Sequence, residues 1–210
     1  MNRTEAGAAR FPGFSAAILA GGKSSRMGTN KALLEVGGSG MLRRTADLLR
    51  PLVDELFLVA DDDAPYAGLG LPVIPDIHPG RGAVGGIHAA LLHAAHPLLL
   101  CVACDMPHIE RAVIALLLAS ARPGDDALLP RIGGRPEPLL AVYGRTALAG
   151  FERAILAGRL RVLDALDGLR VRFIEEADVR AADAGLHSFV NVNTPGELAA
   201  ARDVAARGEQ

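Results

Sequence analysis

The order of apolar and amphipathic segments constrains the fold of this chain most. Apolar runs of strand length, such as residues 14–20 and 97–103, alternate with segments whose apolar residues recur at helical spacing. Such strand–helix alternation predicts right-handed crossovers and a parallel sheet. Because the strands are apolar along their whole length, helices should cover both faces of that sheet. The sequence therefore predicts an α/β fold with a mostly parallel sheet.

The predicted elements cover most of the chain. Strands are expected at residues 14–20, 55–60, 71–75, 97–103, 126–130, 137–143, 169–175 and 187–192. Helices are expected at residues 41–51, 83–95, 108–121, 145–158, 161–167 and 194–207. The last helix has a marked start, with Thr194 as N-cap, Pro195 at the first helical position and Glu197 completing a capping box. We predict a single domain over residues 14–207, after an N-terminal extension, residues 1–13, that is expected to be flexible.

Charge and hydropathy exclude several classes of partner. The 210 residues include 22 Lys+Arg and 24 Asp+Glu, which gives a formal net charge of −2. A broad nucleic-acid surface needs a clear basic excess, so nucleic acid is not expected as a partner. The first residues lack the apolar core of a signal peptide, and no apolar run approaches the roughly 20 residues that span a bilayer. A cytoplasmic protein without a membrane partner is expected.

Cys101 and Cys104 form the C-x-x-C spacing that is used in redox motifs and zinc sites. Here the pair lies inside an apolar run that is predicted to be a strand, and no second C-x-x-C exists. Redox chemistry and metal binding stay as alternatives. The pattern favours buried free thiols.

The first predicted strand runs into a loop rich in glycine and cations. Gly21 and Gly22 are followed by Arg26, and the two lysines of the chain, Lys23 and Lys31, both lie in this loop. Backbone N–H groups and cations, with no acidic residue nearby, are typical of a phosphate-binding loop. The spacing fits neither a Walker A motif nor the dinucleotide fingerprint. A solvated surface loop is the alternative.

Two aspartates follow predicted strands, where ligands of open parallel sheets bind. Asp105 ends an almost wholly apolar strand, so it should face solvent or hold a cation, and Mg²⁺ shared with a phosphate fits. An N-cap role for the next helix is the alternative. Asp76 lies in a segment rich in glycine, where the backbone can approach a ligand closely, although a purely structural loop is equally compatible.

Asn191 and Asn193 lie two residues apart in a predicted strand, and therefore on the same face of it. Paired amides at the end of a strand can bind a ring edge or a phosphate. A cross-strand hydrogen-bonded pair is the alternative.

The segment LAGGKSSRMGTNKALL resembles the signature loop of nucleotidyltransferases with a Rossmann-like core. The segments PDIHPGRGAVGG, CDMP, RPEPLLAVY and FVNVNTPGEL follow in the order found in molybdenum cofactor guanylyltransferases, the molybdopterin-guanine dinucleotide biosynthesis proteins A. The resemblance covers residues 14–202 and implies the nucleotide-diphospho-sugar transferase type of fold. It also implies transfer of GMP from GTP to the terminal phosphate of molybdopterin, with release of pyrophosphate.

The resemblance also implies roles for single residues. The nucleotide-binding residues would be Leu19, Ala20, Gly21, Lys31, Asp76 and Asp105. The catalytic residues would be Arg26, Lys31 and Asp105, with Asp105 holding Mg²⁺, or alternatively Mn²⁺. Asn191 and Asn193 would lie on the pterin and phosphate side. The implied partners are GTP, molybdopterin, the protein that supplies molybdopterin, and the acceptor molybdoenzyme or its chaperone.

Four other functions compete with this one on the sequence alone. A molybdopterin cytidylyltransferase or a nucleotide-sugar pyrophosphorylase would use the same core with another nucleotide or acceptor. A nucleotide-sensing module would bind without reacting, but it would not need Asp105, Lys31 and the two asparagines together. A Rossmann oxidoreductase is disfavoured, because the G-x-G-x-x-G fingerprint is missing.

Overall fold

A computed structural model describes residues 10–20, 35, 36, 39–192, 194, 196–199 and 201 of the chain. The strands are β1 Phe14–Leu19, β2 Glu35–Val36, β3 Ser39–Gly40, β4 Glu55–Val59, β5 Val73–Ile74, β6 Leu98–Ala103, β7 Ala127–Ile132, β8 Arg135–Pro136, β9 Leu140–Gly144 and β10 Val171–Glu175. The helices are α1 Met41–Leu49, α2 Gly82–His93, α3 Arg111–Ser120, α4 Leu148–Leu156, α5 Val162–Ala165 and α6 Glu176–Ala182. Short 3₁₀ helices cover Ala64–Leu69, Arg145–Ala147 and His187–Phe189.

The central sheet is mixed and mostly parallel, which confirms the predicted fold class. Its strand order is β10-β7-β9-β6-β1-β4-β5, with β8 paired to β7. Only β9 and β8 run antiparallel to their neighbours among the strands of this sheet that the structure describes. The strands β2 and β3 form a separate antiparallel pair.

Helices cover both faces of the sheet, as the apolar strands predict. Along β1, Ala16 and Ile18 pack into one core with α1, α3 and α6, which we call the α1 face. The alternate residues, Ala17 and Leu19, pack into the other core with α2, α4 and α5, which we call the α2 face. Burial of both sides of one strand explains why its sequence is a continuous apolar run rather than an alternating one.

A tight glycine turn between β7 and β8 reverses the direction of the chain before β9. Gly133 and Gly134 both have positive φ, +56° and +75°, between the paired residues Ile132 and Arg135. Positive φ at both central residues is typical of a type I′ hairpin turn, which glycine adopts without strain. The chain therefore reverses after β7, and β9 returns between β7 and β6.

The strand predicted at residues 187–192 is wrong. The structure has a 3₁₀ helix at His187–Phe189 followed by irregular backbone. The side chain of Asp183 accepts a hydrogen bond of 2.8 Å from the backbone N–H of Ser188. The hydroxyl of Ser188 in turn accepts one of 2.9 Å from the N–H of Glu110. These side-chain bonds hold the segment against the loop before α3 and compete with sheet pairing.

Helix α6 was not predicted, although its sequence carries helix signals. Glu176 and Asp178 lie in its first turn and Arg180 in its last, as the helix dipole favours. Glu176 and Arg180 also form an i,i+4 ion pair at 2.7 Å. The other predicted elements differ from the observed ones mainly at their ends.

The predicted capping box at the C-terminal helix is confirmed. The N–H of Thr194 donates to the carboxylate of Glu197 at 2.9 Å, and the N–H of Glu197 donates to the Thr194 hydroxyl at 3.2 Å. Residues 196–199 and 201 are helical, whereas Pro195 lies outside the described residues. The sequence signal therefore located the start of this helix.

Residues 10–13 lie against the start of β4. Arg10 forms a 2.9 Å ion pair with Asp54, and the N–H of Gly13 donates to the same carboxylate at 2.7 Å. The N–H of Phe11 donates to the carbonyl of Leu52 at 2.8 Å. That residues 1–13 form an extension to the domain stays a prediction.

Neither cysteine forms a disulfide, and the predicted burial is confirmed for Cys101. Cys101 is fully buried in β6, and Cys104, just beyond the strand, is half-buried. Burial raises the pKa of the Cys101 thiol far above its ordinary value, so this sulfur stays protonated.

None of the helices in the described ranges combines the length and the apolar character that a membrane crossing requires.

Candidate functional site

The ends of three neighbouring parallel strands form the edge where the site lies. Leu19 at the end of β1 is the register partner of Val59 in β4 and of Ala103 in β6. Beyond the strands, the N–H of Ala20 donates to the carbonyl of Val59 at 2.9 Å, and the N–H of Cys104 donates to that of Leu19 at 3.1 Å. The three strands thus end level with one another. Open parallel sheets bind their ligands at this carboxyl edge.

The segments that contain Asp105 and Asn191 meet at this edge, although they are far apart in the sequence. Asp105 is the second residue beyond β6, and its carbonyl oxygen accepts a 2.8 Å hydrogen bond from the N–H of Val192. Asp105 is half-buried, with Oδ1 shielded from solvent. The structure therefore brings together two residues that the sequence singled out separately.

The side-chain amide oxygen of Asn191 has an unused hydrogen-bonding capacity among the described residues. This Oδ1 atom is buried, and no residue in the described part of the chain donates a hydrogen bond to it. A buried polar atom without a partner is costly, and a cation or a donor group of a ligand would satisfy it. The amide oxygen thus points to a binding role.

Packing behind Asn191 holds it in place. The neighbouring Val192 is fully buried in a small core with Met41, Leu198 and Ala201. This core joins the start of α1 to the C-terminal helix. His108, in the loop that follows Asp105, is hydrogen-bonded to the backbone of Ala201, and burial lowers the pKa of its imidazole. The Asn191 segment is therefore anchored from two sides.

Asp76 organises the loop that leads into α2. Its Oδ1 accepts a 2.8 Å hydrogen bond from the N–H of His78, which forms an Asx turn. Its carboxylate also rests on the first turns of α2, where a Cβ atom at Gly85 would lie 2.6 Å from Oδ2. Gly85 thus makes room for the carboxylate. These contacts support the structural alternative for Asp76, and a direct contact with a nucleotide stays a prediction.

Helix α2 begins at the same edge and has the character of an anion site. No acidic residue lies in its first turn. Gly86 faces the ends of β1 and β4. A Cβ atom at this position would lie 3.6 Å from the side chain of Leu19 and 4.0 Å from that of Val59. Both distances are ordinary van der Waals contacts, so the helix packs directly on the strand ends. The free N–H groups at the start of the helix attract negative charge.

A buried histidine supports this loop, and the sequence analysis missed it. His88 in α2 is 2% exposed, and its Nε2 lies 3.7 Å from Oε1 of Glu152 in α4. The ring of His78 packs on it with a centroid distance of 5.0 Å. Burial, and secondly the neighbouring His78, lower the pKa of His88. A histidine inside the apolar stretch GGIHAALL was the available signal.

Four of the predicted site residues lie outside the described residues: Gly21, Arg26, Lys31 and Asn193. Leu19 is buried at the end of β1, and Ala20 is half-buried just beyond it. The roles of all six residues stay predictions. Asn191 does not lie in a strand, so the argument from a shared strand face does not hold for the two asparagines.

The donors at this edge fit a hard cation such as Mg²⁺. Within the described ranges, no three or more His, Cys, Asp or Glu side chains are grouped to hold a metal by themselves. Asp105 offers a carboxylate, and the neighbouring Asn191 offers an amide oxygen without a donor. Mg²⁺ commonly binds one or two carboxylates and completes its shell with substrate phosphates and water. The residues present therefore fit a metal that arrives with a phosphate ligand.

A mostly parallel sheet whose carboxyl edge carries a carboxylate, a buried amide oxygen and a glycine-rich helix start defines an α/β protein of the nucleotide-binding class. Comparison with known proteins narrows this class. Residues 16–171 match the family described as MobA-like NTP transferase domain. The chain belongs to this family.

Curated relatives share most of the length of the chain. The probable molybdenum cofactor guanylyltransferase of Pelotomaculum thermopropionicum is 40% identical over 90% of this chain and 91% of its own. The molybdenum cofactor guanylyltransferase of Desulfosudis oleivorans is 37% identical over 86% of this chain and 90% of its own.

Solved structures share the fold. Molybdopterin-guanine dinucleotide biosynthesis protein A from Archaeoglobus fulgidus superposes with a TM-score of 0.81 at 32% identity, over 92% of this chain and 99% of that one. The 2-C-methyl-D-erythritol 4-phosphate cytidylyltransferase of Thermus thermophilus, at 22% identity, has a TM-score of 0.67 over 91% of this chain and 98% of its own. The second likeness concerns the fold alone.

Proposed function

We propose that this protein transfers GMP from GTP to the terminal phosphate of molybdopterin and releases pyrophosphate. The observation that carries the proposal is the backbone hydrogen bond from Val192 to Asp105, which joins the segment of Asn191 to the segment of Asp105 at the carboxyl edge. The names of the relatives from Pelotomaculum thermopropionicum and Archaeoglobus fulgidus support the choice of guanine nucleotide and pterin acceptor.

The reaction needs no covalent intermediate with the protein. The terminal phosphate of the acceptor attacks the α-phosphorus of GTP in line, and the bond to pyrophosphate breaks on the opposite side. The protein contributes by orienting the two phosphates and by stabilising the charge that develops on the leaving group. Residues with fixed positions at a rigid sheet edge suit this task.

On the nucleotide side, Leu19, Ala20 and Gly21 would line the nucleotide, and the loop held by Asp76 would contact it. The cations Arg26 and Lys31 would offset the negative charge on the leaving pyrophosphate. A lysine is a compact charge on a flexible stem, which suits an oxygen whose charge changes during the reaction.

Asp105 would hold the divalent metal, with Asn191 and Asn193 on the acceptor side. When bound, Mg²⁺, or alternatively Mn²⁺, acts as a Lewis acid on phosphate oxygens. The backbone bond from Val192 holds Asp105 in place. Metal binding at Asp105 and the position of the segment of Asn191 and Val192 would therefore depend on each other. The proteins that supply molybdopterin and receive the product would dock near this edge.

Pyrophosphate release, measured with each of the four nucleoside triphosphates, tests the proposal. Each nucleotide is assayed with and without molybdopterin, in the presence of Mg²⁺. We expect release with GTP only when molybdopterin is added. Release with CTP would identify a cytidylyltransferase instead. Nucleotide binding without release for any acceptor would indicate a sensing module, and either result would contradict the proposal.

A further inference from the structure

The segment RPEPLLAVY at residues 135–143 has no role in the reaction so far, but it ends at the candidate site. The N–H of Glu137 donates to the carbonyl of Pro130 at 2.9 Å, which extends the β7–β8 pairing by one residue. Two residues later, the carbonyl of Leu139 accepts a 2.9 Å hydrogen bond from Ala103, the last residue of β6. Glu137 therefore lies at the same carboxyl edge as Asp105, which follows β6.

Glu137 also lies on the same face of the sheet as Asn191. Side chains in a strand alternate between faces, so residues two apart share a face. The side chain of Leu128 packs on the α1 face, and Pro130, the partner of Glu137, therefore lies on this face too. Directly paired residues project to the same face. The segment that precedes Asn191 packs on the α1 face too, through Phe189. The loop of Asp76 and helix α2, by contrast, belong to the opposite side.

The carboxylate of Glu137 is half-buried, and no residue in the described part of the chain donates a hydrogen bond to it. Among the described residues, the charge of Arg135 in the same turn acts on this carboxylate. Burial raises the pKa of this carboxyl, and Arg135 offsets the shift only in part. Partial burial weakens the hydration of this carboxylate, so hydrogen-bond donors of a ligand would stabilise its charged form.

The turn that carries Glu137 is held rigidly from behind. The hydroxyl of Tyr143 donates to the carbonyl of Pro138 at 2.7 Å. Tyr143 is fully buried, and its ring contacts that of Phe151 edge to face at 5.6 Å. A fixed turn loses little conformational entropy when a ligand binds, so the backbone that carries Glu137 is preorganised.

From this placement we infer that Glu137 is a specificity-determining residue that binds the 2-amino-4-oxo edge of the acceptor's pterin ring. That edge presents a ring N–H and an exocyclic amino group side by side, and the two oxygens of a carboxylate accept both hydrogen bonds. Guanine carries the same edge, but Glu137 lies beyond β6, away from the loop of Asp76 and α2. The inference rests on the proposed function, since it concerns the acceptor of that reaction.

Steady-state kinetics of Glu137→Gln test the inference. The amide keeps one acceptor and loses the second together with the charge, so the KM for molybdopterin should rise about 10- to 100-fold. The KM for GTP should stay unchanged. An unchanged KM for molybdopterin would overturn the inference, and so would a raised KM for GTP, because the guanine base would then be the ligand.

A matched control separates binding from general effects of charge. Glu175→Gln removes a carboxylate from β10 that pairs with Arg131 at 2.8 Å, and both KM values should stay as in the wild type. Folding of Glu137→Gln is checked by its thermal unfolding midpoint. Because burial disfavours the charged form of Glu137, the neutral amide should not destabilise the protein.

A binding assay keeps the inference testable if the proposed function fails. Wild type that releases no pyrophosphate with molybdopterin and any nucleotide would reject the proposed function alone. The fluorescence of 6-hydroxymethylpterin, which has no phosphate, then reports binding without turnover. A dissociation constant at least tenfold weaker for Glu137→Gln supports the inference. No binding by wild type, or equal binding by both proteins, overturns it.

Discussion

A Cβ atom at Gly85 would lie 2.6 Å from Oδ2 of Asp76 and 3.0 Å from its Oδ1. Real Cβ atoms do not approach a carboxylate oxygen this closely, so the two residues depend on each other. The carboxylate turns the chain toward α2, and the missing side chain at Gly85 gives it room. This pair shapes the loop in which we place one side of the nucleotide site.

Gly85→Ala should therefore displace Asp76 and destabilise the fold by about 1–3 kcal/mol, the usual cost of overpacking. Gly86→Ala is the matched control for stability, because its Cβ would meet Leu19 at an ordinary 3.6 Å. Alanine also favours a helix over glycine. Urea denaturation of both variants checks the prediction, and equal stability of the two would contradict it.

Asp105→Asn should reduce turnover about 10²- to 10³-fold or more, because a neutral amide holds a divalent cation poorly. The backbone bond from Val192 does not involve the side chain, so the fold should persist. Asp167→Asn, at an exposed carboxylate that pairs with Arg159, is the control and should keep full turnover. Pyrophosphate release over a Mg²⁺ titration is the measurement. Normal activity of Asp105→Asn at low Mg²⁺ would reject the assigned role.

Lys31→Ala should lower turnover about 10²- to 10³-fold while the thermal unfolding midpoint stays unchanged. The reason is the loss of a cation that offsets charge on the leaving pyrophosphate. Initial rates at saturating GTP give the turnover number. Rates close to those of the wild type would show that Lys31 does not act in the reaction.

The stability of the protein should fall as the pH drops below about 6.5, the ordinary pKa of histidine. Burial lowers the pKa of His88 in the folded protein, so the unfolded chain binds protons more readily in this range. The stabilisation is complete above pH 6.5 and is lost as the pH falls to the folded-state pKa. His108, whose pKa is also lowered by burial, adds to the same slope.

His88→Leu removes one of these two contributions. Urea denaturation at about pH 7.5 and about pH 5.5 measures the free energy of unfolding at each pH. The difference between these two free energies should be smaller in the variant than in the wild type. The groups around His88 are Asp76, His78 and Glu152, and all three remain in the variant. An equal pH dependence in both proteins would show that His88 does not titrate in this range.

Much of the site could be predicted because its residues follow strands. Asp105 follows an apolar run that forms a parallel strand. Its carboxylate must therefore lie at the carboxyl edge of the sheet, whichever strands are the neighbours of that strand. The capping box of Thr194 and Glu197 is local as well, since its partners are three residues apart. The strand predicted at residues 187–192 failed for the opposite reason. Ser188 holds that segment through a bond to the backbone of Glu110, 78 residues away, which no local pattern reveals.

The sequence by itself determined the alternation of buried strands and helices, the glycine-rich cationic loop and the acidic strand ends. These features follow from local hydrophobicity, chain flexibility and charge. Only the tertiary structure decided that the segment of Asn191 is bonded to that of Asp105, that His88 is buried between His78 and Glu152, and that Glu137 is half-buried at the same edge. Burial and hydrogen-bond partners depend on which distant segments pack together, and that packing is a property of the whole sheet and its two helical layers.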